Sequence, residues 1–276
     1  MIGYLLQENP LFTTTLAVYA VAFVLYASSW ASPRPVVARA ATLAMVAALA
    51  LNLSLILFRW VEAGRPPFKS LYESLVFLAF CTAAVYLVME RVYGSRVFGA
   101  MAALGSLGAM VFAVAKWDAE IVKLPPALQS GWFIPHVVVY FVAYGALFFA
   151  TAVAIVQLVK PTLTLNAGTI LRGSHALDDV SYDAIRIGFI LLTIGLLIGS
   201  VWARTAWGDY WVWDPKESWS LVTWLVYAVY LHLRHVRGWR GSRASAIAIA
   251  GFAIVLFTYL GMAALPTAAE SDHVYQ

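Results

Sequence analysis

Residues 134–159 read IPHVVVYFVAYGALFFATAVAIVQLV, a run without a single aspartate, glutamate, lysine or arginine. A helix needs about 20 apolar residues to cross the hydrocarbon core of a bilayer, and this run exceeds that. Just upstream, Pro125, Pro126 and the Gln129-Ser130 pair break the apolar pattern, so the helix is expected to start near Ile134. Seven further apolar stretches flank it: 9–33, 40–58, 74–89 and 97–115 before it, then 187–203, 218–233 and 244–269 after it. The stretches beginning at Ser74 and Ser218 are slightly short and can borrow a turn whose charged side chains snorkel. The expected fold is an all-α polytopic integral membrane protein of about eight transmembrane helices. It forms a single membrane domain over residues 1–276.

Composition leads to the same class. Of 276 residues, 62% are hydrophobic and 12% charged, against about 45–50% and about 25% in soluble domains. One water-soluble core could not hide that much apolar surface. A disulfide-stapled module is excluded because Cys81 is the only cysteine, and within the third span it reads as an inert apolar side chain. The net charge of +4 comes from few ions and calls for no nucleic-acid partner. Residues 1–10 carry Glu8 and no lysine or arginine, the wrong sign for a signal peptide, so the first span is expected to be retained. One set of alternate loops holds eleven lysines and arginines, concentrated at Arg234, Arg237, Arg240 and Arg243, and the other holds seven. The positive-inside rule then puts the first set in the cytoplasm and both termini outside.

Six of the eleven tryptophans lie within residues 202–224: Trp202, Trp207, Trp211, Trp213, Trp219 and Trp224. An interfacial aromatic belt would use one or two per helix end. The density here suits a flat aromatic shelf for a large planar ligand, external and between helices 6 and 7, because indole faces stack on π-systems and exclude water. Asp214, Pro215 and Glu217 have the spacing of a capping box with proline at the first helical position, which would lock the shelf onto the seventh span.

The five histidines differ in depth. His136 sits at the outer end of the fifth span and His273 beyond the eighth. His232 lies inside the seventh span, about 26 Å along the helix from Pro215, and an intramembrane histidine is a functional candidate by default. His175 and His235 read as solvated loop residues. Two imidazoles framing an aromatic shelf suit axial ligation of a haem iron. The chain has no Cys-x-x-Cys, His-Glu-x-x-His or phosphate-cradling glycine motif, and Gly195-Leu-Leu-Ile-Gly199 reads as helix packing.

The stretch Trp207-Gly-Asp-Tyr-Trp211-Val-Trp213-Asp214-Pro-Lys-Glu-Ser-Trp219-Ser resembles the tryptophan-rich WWD signature of haem-handling proteins. Its Asp-Pro-Lys-Glu variant is followed by Trp224-Leu-Val-Tyr and Tyr230-Leu-His232-Leu-Arg234. Pro126-Ala-Leu-Gln-Ser-Gly-Trp132 leads to His136-Val, and Leu71-Tyr-Glu-Ser-Leu75 follows the second span. Together these are similar to the CcsA (ResC) family of cytochrome c biogenesis proteins, over most of the chain from about Pro66. The first two spans carry no diagnostic residues.

The resemblance implies a subunit of the system II cytochrome c synthase, a haem lyase, in a bacterial cytoplasmic or thylakoid-type membrane. It would work with a CcsB (ResB)-like membrane subunit, carry haem b across the bilayer as transported substrate, and present it to the Cys-x-x-Cys-His segment of apocytochrome c. By position His136 matches the first external iron ligand and His232 the intramembrane histidine. His273 is the counterpart of the second external ligand, although its spacing from Phe257-Thr-Tyr259 is longer than the family's and the local sequence differs. Trp207, Trp211, Trp213 and Asp214 complete the expected haem-binding set. Arg65, Lys69, Arg204 and Lys216 are candidate partners for the propionates. No side-chain nucleophile is expected, since haem and thiols supply the chemistry. The competing readings are a CcmC-like exporter delivering haem to a chaperone, a cytochrome b-type electron-transfer subunit, and a small-solute transporter.

Overall fold

The computed structural model describes residues 9–31, 34–115, 120–121, 123–166 and 173–261. Among them are eight α-helices: α1 Pro10–Ala31, α2 Pro35–Ala63, α3 Leu71–Tyr93, α4 Gly99–Ala115, α5 Phe133–Val159, α6 Leu177–Trp207, α7 Pro215–Val236 and α8 Ser242–Leu260. A 3-10 turn, Pro126–Leu128, precedes α5, and a short strand β1 (Thr164–Asn166) pairs with β2 (Ser174–Ala176). Six of these helices are long and apolar enough to cross a membrane, and α4 is a shorter apolar helix. The eighth, α7, has Lys216 and Glu217 in its first turn and Arg234 and His235 in its last. The chain is a multi-pass helical membrane protein.

Helix number follows the sequence expectation, and the ends of α6 do not. The helix begins at Leu177, ten residues before the apolar run, because its first turn buries Asp178 against partners: the carboxylate accepts from Gln157 Nε2 (3.1 Å) and Gly241 N (2.8 Å) and pairs with Arg234. Its other end continues to Trp207, where Gly208 closes it in the left-handed conformation. Trp202 and Trp207 therefore sit on helix, and the linker to α7 is only residues 208–214.

The contacts divide the chain into two compact units. Unit 1, residues 1–122 and 165–175, contains α1–α4. There α1 packs on α2 and α4, and α3 packs on α4 and α2, which closes a ring of four helices. Buried polar groups must find partners inside such a bundle, since lipid offers none. Glu73 caps α3 in a box with Ser70 and receives Arg65 through both terminal nitrogens (2.9 and 3.1 Å) and Arg59 Nε (3.2 Å). At the other end of α3, Glu90 accepts the hydroxyls of Tyr26, Tyr86 and Thr42, each at 2.6 Å, and pairs with Arg96. Cys81 is buried, as its reading as an apolar residue requires.

Unit 2, residues 123–164 and 176–276, contains α5–α8 in a second ring, with α5 on α6 and α8, and α7 on α8 and α6. One end is tied by the Asp178 cluster, in which Ser245 Oγ also donates to Gln157 Oε1 (3.0 Å) and Asp179 joins Arg234 (3.0 Å). The opposite end, where α5 begins and α6 finishes, carries most of the candidate site.

Candidate functional site

His136 stands in the first turn of α5, half-buried. Its Nδ1 lies 2.9 Å from the Gly195 carbonyl of α6. A carbonyl can only accept, so Nδ1 carries the proton, and in the neutral ring Nε2 then holds the lone pair. Metal-bound histidines are commonly oriented this way, the second ring nitrogen donating to a backbone carbonyl. Two aromatic rings flank the imidazole: Tyr140 at 4.8 Å and Trp202 at 5.5 Å between centroids. Trp202 is itself fixed, donating from Nε1 to Ala127 O in the 3-10 turn (2.9 Å) and touching Phe133 and, edge to face, Trp207 at 4.9 Å. The break at Pro125-Pro126 thus supplies the carbonyl that anchors Trp202, and α6 continues far enough to bring Trp202 and Trp207 beside His136.

The expected capping box is present. Asp214 is buried, its side chain accepts from Lys216 N (2.7 Å), and Pro215 occupies the first turn of α7. Glu217 Oε2 accepts from two linker amides, Asp214 N (3.2 Å) and Val212 N (2.9 Å). The residue between those amides, Trp213, has φ +59° and is the one described non-glycine residue with positive φ. Such a conformation costs about 1–2 kcal/mol for a side chain of this kind. The double clamp on Glu217 holds it and turns the Trp213 ring outward, 70% exposed. The rings do not form one flat shelf: Trp211 and Trp213 meet at 85°, the edge-to-face arrangement that ring quadrupoles favour. Trp211 Nε1 is buried without a hydrogen-bond partner among the described residues, so an acceptor from a ligand or another segment would be accommodated there.

Other expected residues lie apart from this end. His232 is on the far part of α7, on the outward stripe formed by Val222, Leu225, Val229 and Val236, all exposed. His273 lies outside the described residues. His235 is exposed, but His175 departs from its reading as a solvated residue: its Nε2 is buried and its ring meets the edge of Tyr93 at 5.7 Å. Arg65 is committed to Glu73. Arg204 faces Asp209 at 3.8 Å and lies over the Tyr210 ring. Half-buried Lys216, ahead of the apolar run of α7, has its ammonium pulled down to about 8 by burial, with Asp214 acting in the opposite direction. No cluster of three or more histidine, cysteine or carboxylate side chains able to hold a metal occurs among the described residues.

Tyr140, inside a uniform apolar run, was not singled out by the sequence; Gly195 and Gly199 were read as helix packing and Glu217 as a helix cap, and their further roles beside His136 and Val212 come from the structure. The signal for the glycines was present, but which side chain lies across them is a tertiary fact.

A family model described as Cytochrome C assembly protein matches residues 68–268. The chain belongs to that family. Its curated relatives include the cytochrome c biogenesis protein CcsA of Synechococcus elongatus, 38% identical over 74% of this chain and 78% of the relative. The CcsA protein of Chlamydomonas reinhardtii is 40% identical over 75% of this chain and 61% of that relative. Among solved structures, cytochrome c heme lyase CcmF superposes with a TM-score of 0.67 at 18% identity, covering 95% of this chain and 48% of that protein. That likeness is one of fold, and this chain spans about half of that neighbour's length. Family membership and these relatives assign the chain a role in cytochrome c biogenesis in a membrane.

Proposed function

We propose that this member of the family moves haem b across the membrane and presents it for thioether attachment to apocytochrome c, acting with a CcsB-like membrane subunit in a system II synthase. The observation that carries the reading is His136: its Nδ1–H is given to the Gly195 carbonyl, which directs Nε2 toward ligation, and it is packed against Trp202. In this reading His273, which lies outside the described residues, would supply the second imidazole, and Trp207, Trp211 and Trp213 with Asp214 hold the macrocycle and exclude water. Arg204 and Lys216, which flank the linker, would be the partners for the propionates. The loop-charge asymmetry supports an outer location for this end, and the reading takes the membrane to be bacterial cytoplasmic or thylakoid-type.

Haem supplies the vinyl groups. Each cysteine thiol of the Cys-x-x-Cys-His segment adds across one vinyl, its sulfur bonding to the carbon next to the ring and its hydrogen going to the terminal carbon, with no net electron transfer. This chain's residues orient and shield, a contribution of position and not of a nucleophile. His232, on an outward stripe of α7, serves an intramembrane station whose opposing imidazole comes from the partner subunit; a polar ring facing lipid is otherwise costly.

The test is His136→Ala in the full chain, purified from haem-replete cells. The expected result is a changed absorbance spectrum and at least tenfold less haem retained; unchanged haem content and band positions would exclude His136 as a ligand. The same measurement on His232→Ala, with cytochrome maturation scored in parallel, examines the membrane station.

A further inference from the structure

Three glycines on one face of α6 let side chains of α5 approach its backbone. A Cβ at Gly188 would lie 2.7 Å from Leu147 Cδ2, one at Gly195 would lie 2.6 Å from the Tyr140 ring, and one at Gly199 would lie 2.6 Å from His136 Cε1 and 2.7 Å from Nδ1. Real Cβ atoms essentially never come within 3.0 Å of such neighbours. At Gly188 the absent methyl is a matter of packing a fully buried leucine. At Gly199 it concerns the orientation of an imidazole.

We infer that Gly199 is a positioning residue for His136: the bare backbone at 199, together with the Gly195 carbonyl one turn earlier, sets the direction and tautomer of the ring. The inference rests on the reading of His136 as an iron ligand and deepens it. The geometry is specific about which ring edge is involved. Nδ1 and Cε1 face Gly199, whereas Nε2 would be 3.7 Å from the same Cβ. The atom crowded by a methyl is therefore the atom that donates to Gly195 O at 2.9 Å. Relief by turning or lifting the ring must strain or break that bond, and Tyr140 and Trp202, at 4.8 and 5.5 Å, limit where the ring can go. Once Nδ1 no longer donates to the carbonyl, the neutral ring can place its proton on Nε2 and lose its ligating lone pair. The imidazole ends a side chain with two torsions, so it yields before the helix does. Gly199→Ala should fold and still misdirect its histidine.

The experiment compares Gly199→Ala with Gly188→Ala in the full chain, reading three quantities: thermal midpoint, affinity for added haem b, and the positions of the haem absorbance bands. Outer hydrogen-bond partners of metal-bound histidines are typically worth 10–100-fold in affinity. Gly199→Ala is expected to keep the wild-type midpoint, bind haem about tenfold more weakly and shift the bands, with added free imidazole restoring the wild-type bands. Gly188→Ala is expected to lower the midpoint and leave the bands in place. Wild-type bands and affinity in Gly199→Ala overturn the inference, as do equal band shifts in both variants. His136→Ala separates the two levels: an unchanged spectrum there removes the ligand reading itself, whereas a changed spectrum beside an unaffected Gly199→Ala removes only the positioning role.

Discussion

Unit 1 surrounds its buried carboxylates with donors from its own bundle, Glu73 with Arg59 and Arg65, Glu90 with Tyr26, Tyr86 and Thr42. Unit 2 does the same at its Asp178 end; among the described residues unit 1 leaves one buried polar atom without a partner, His175 Nε2, and unit 2 leaves two. Toward the end where α5 begins, it has a Trp211 indole N–H without a partner among the described residues and a tryptophan held in a strained conformation. Along α7 it presents His232 on an outward stripe and buries a Tyr227 hydroxyl that likewise has no partner among the described residues. Both units are rings of four helices, so the contrast is not one of architecture. A saturated polar cluster fixes a fold; a polar group kept unsaturated in a bundle is costly unless something else completes it.

The contrast can be broken most forcefully in unit 1. Glu73→Ala removes the counter-charge of buried Arg65, and removing one partner of a buried ion pair costs about 3–5 kcal/mol. A marked fall in thermal midpoint is expected, with haem bands unchanged in the folded fraction; altered bands would mean that the Glu73 cluster serves ligand binding. In unit 2, Asp214→Ala deletes a helix cap, expected to cost about 1–2 kcal/mol, visible as faster hydrogen exchange at the amides of residues 216–218. Trp211→Phe removes the indole N–H and should leave the midpoint within about 0.5 kcal/mol. If that N–H meets a haem carboxylate, a hydrogen bond of about 1 kcal/mol is lost and haem retention falls about fivefold. Trp213→Asn replaces the strained residue by one that tolerates positive φ. It should raise the midpoint slightly, by about 0.5 kcal/mol, while lowering haem retention, a pairing that simple destabilisation cannot produce. The smallest effect concerns Lys216. Its ammonium, pulled down to about 8, is charged below that pH and neutral above it. Haem retention should therefore decline modestly above about pH 8, by less than about 1 kcal/mol, and Lys216→Ala should abolish the decline.

Much of the site was legible because local chemistry specifies it. Asp214, Pro215 and Glu217 cap α7 as their spacing requires, since a capping box needs only residues within one turn. His136 was legible as a polar ring at the start of a span. The flat shelf was not borne out in shape: indole count reveals density, whereas ring angles depend on the backbone at Trp213 and on Glu217 reaching back to Val212. The ends of α6 were missed for a related reason. Asp178 looks like a loop residue until Gln157, Arg234 and Gly241 are seen to satisfy it, and those partners lie far away in sequence.

The sequence by itself determined that the chain is a helical membrane protein, roughly how many helices its described residues form, where α7 is capped and to which family it belongs. These follow from apolar run length, short-range hydrogen bonding and motif. Only the tertiary structure decided that Gly195 and Gly199 lie across His136, that the tilted Trp202 ring packs beside it, and that His232 faces outward. The physical reason is that a ring's direction and tautomer are set by atoms that share no local sequence with it, here a carbonyl and a missing methyl on the neighbouring helix.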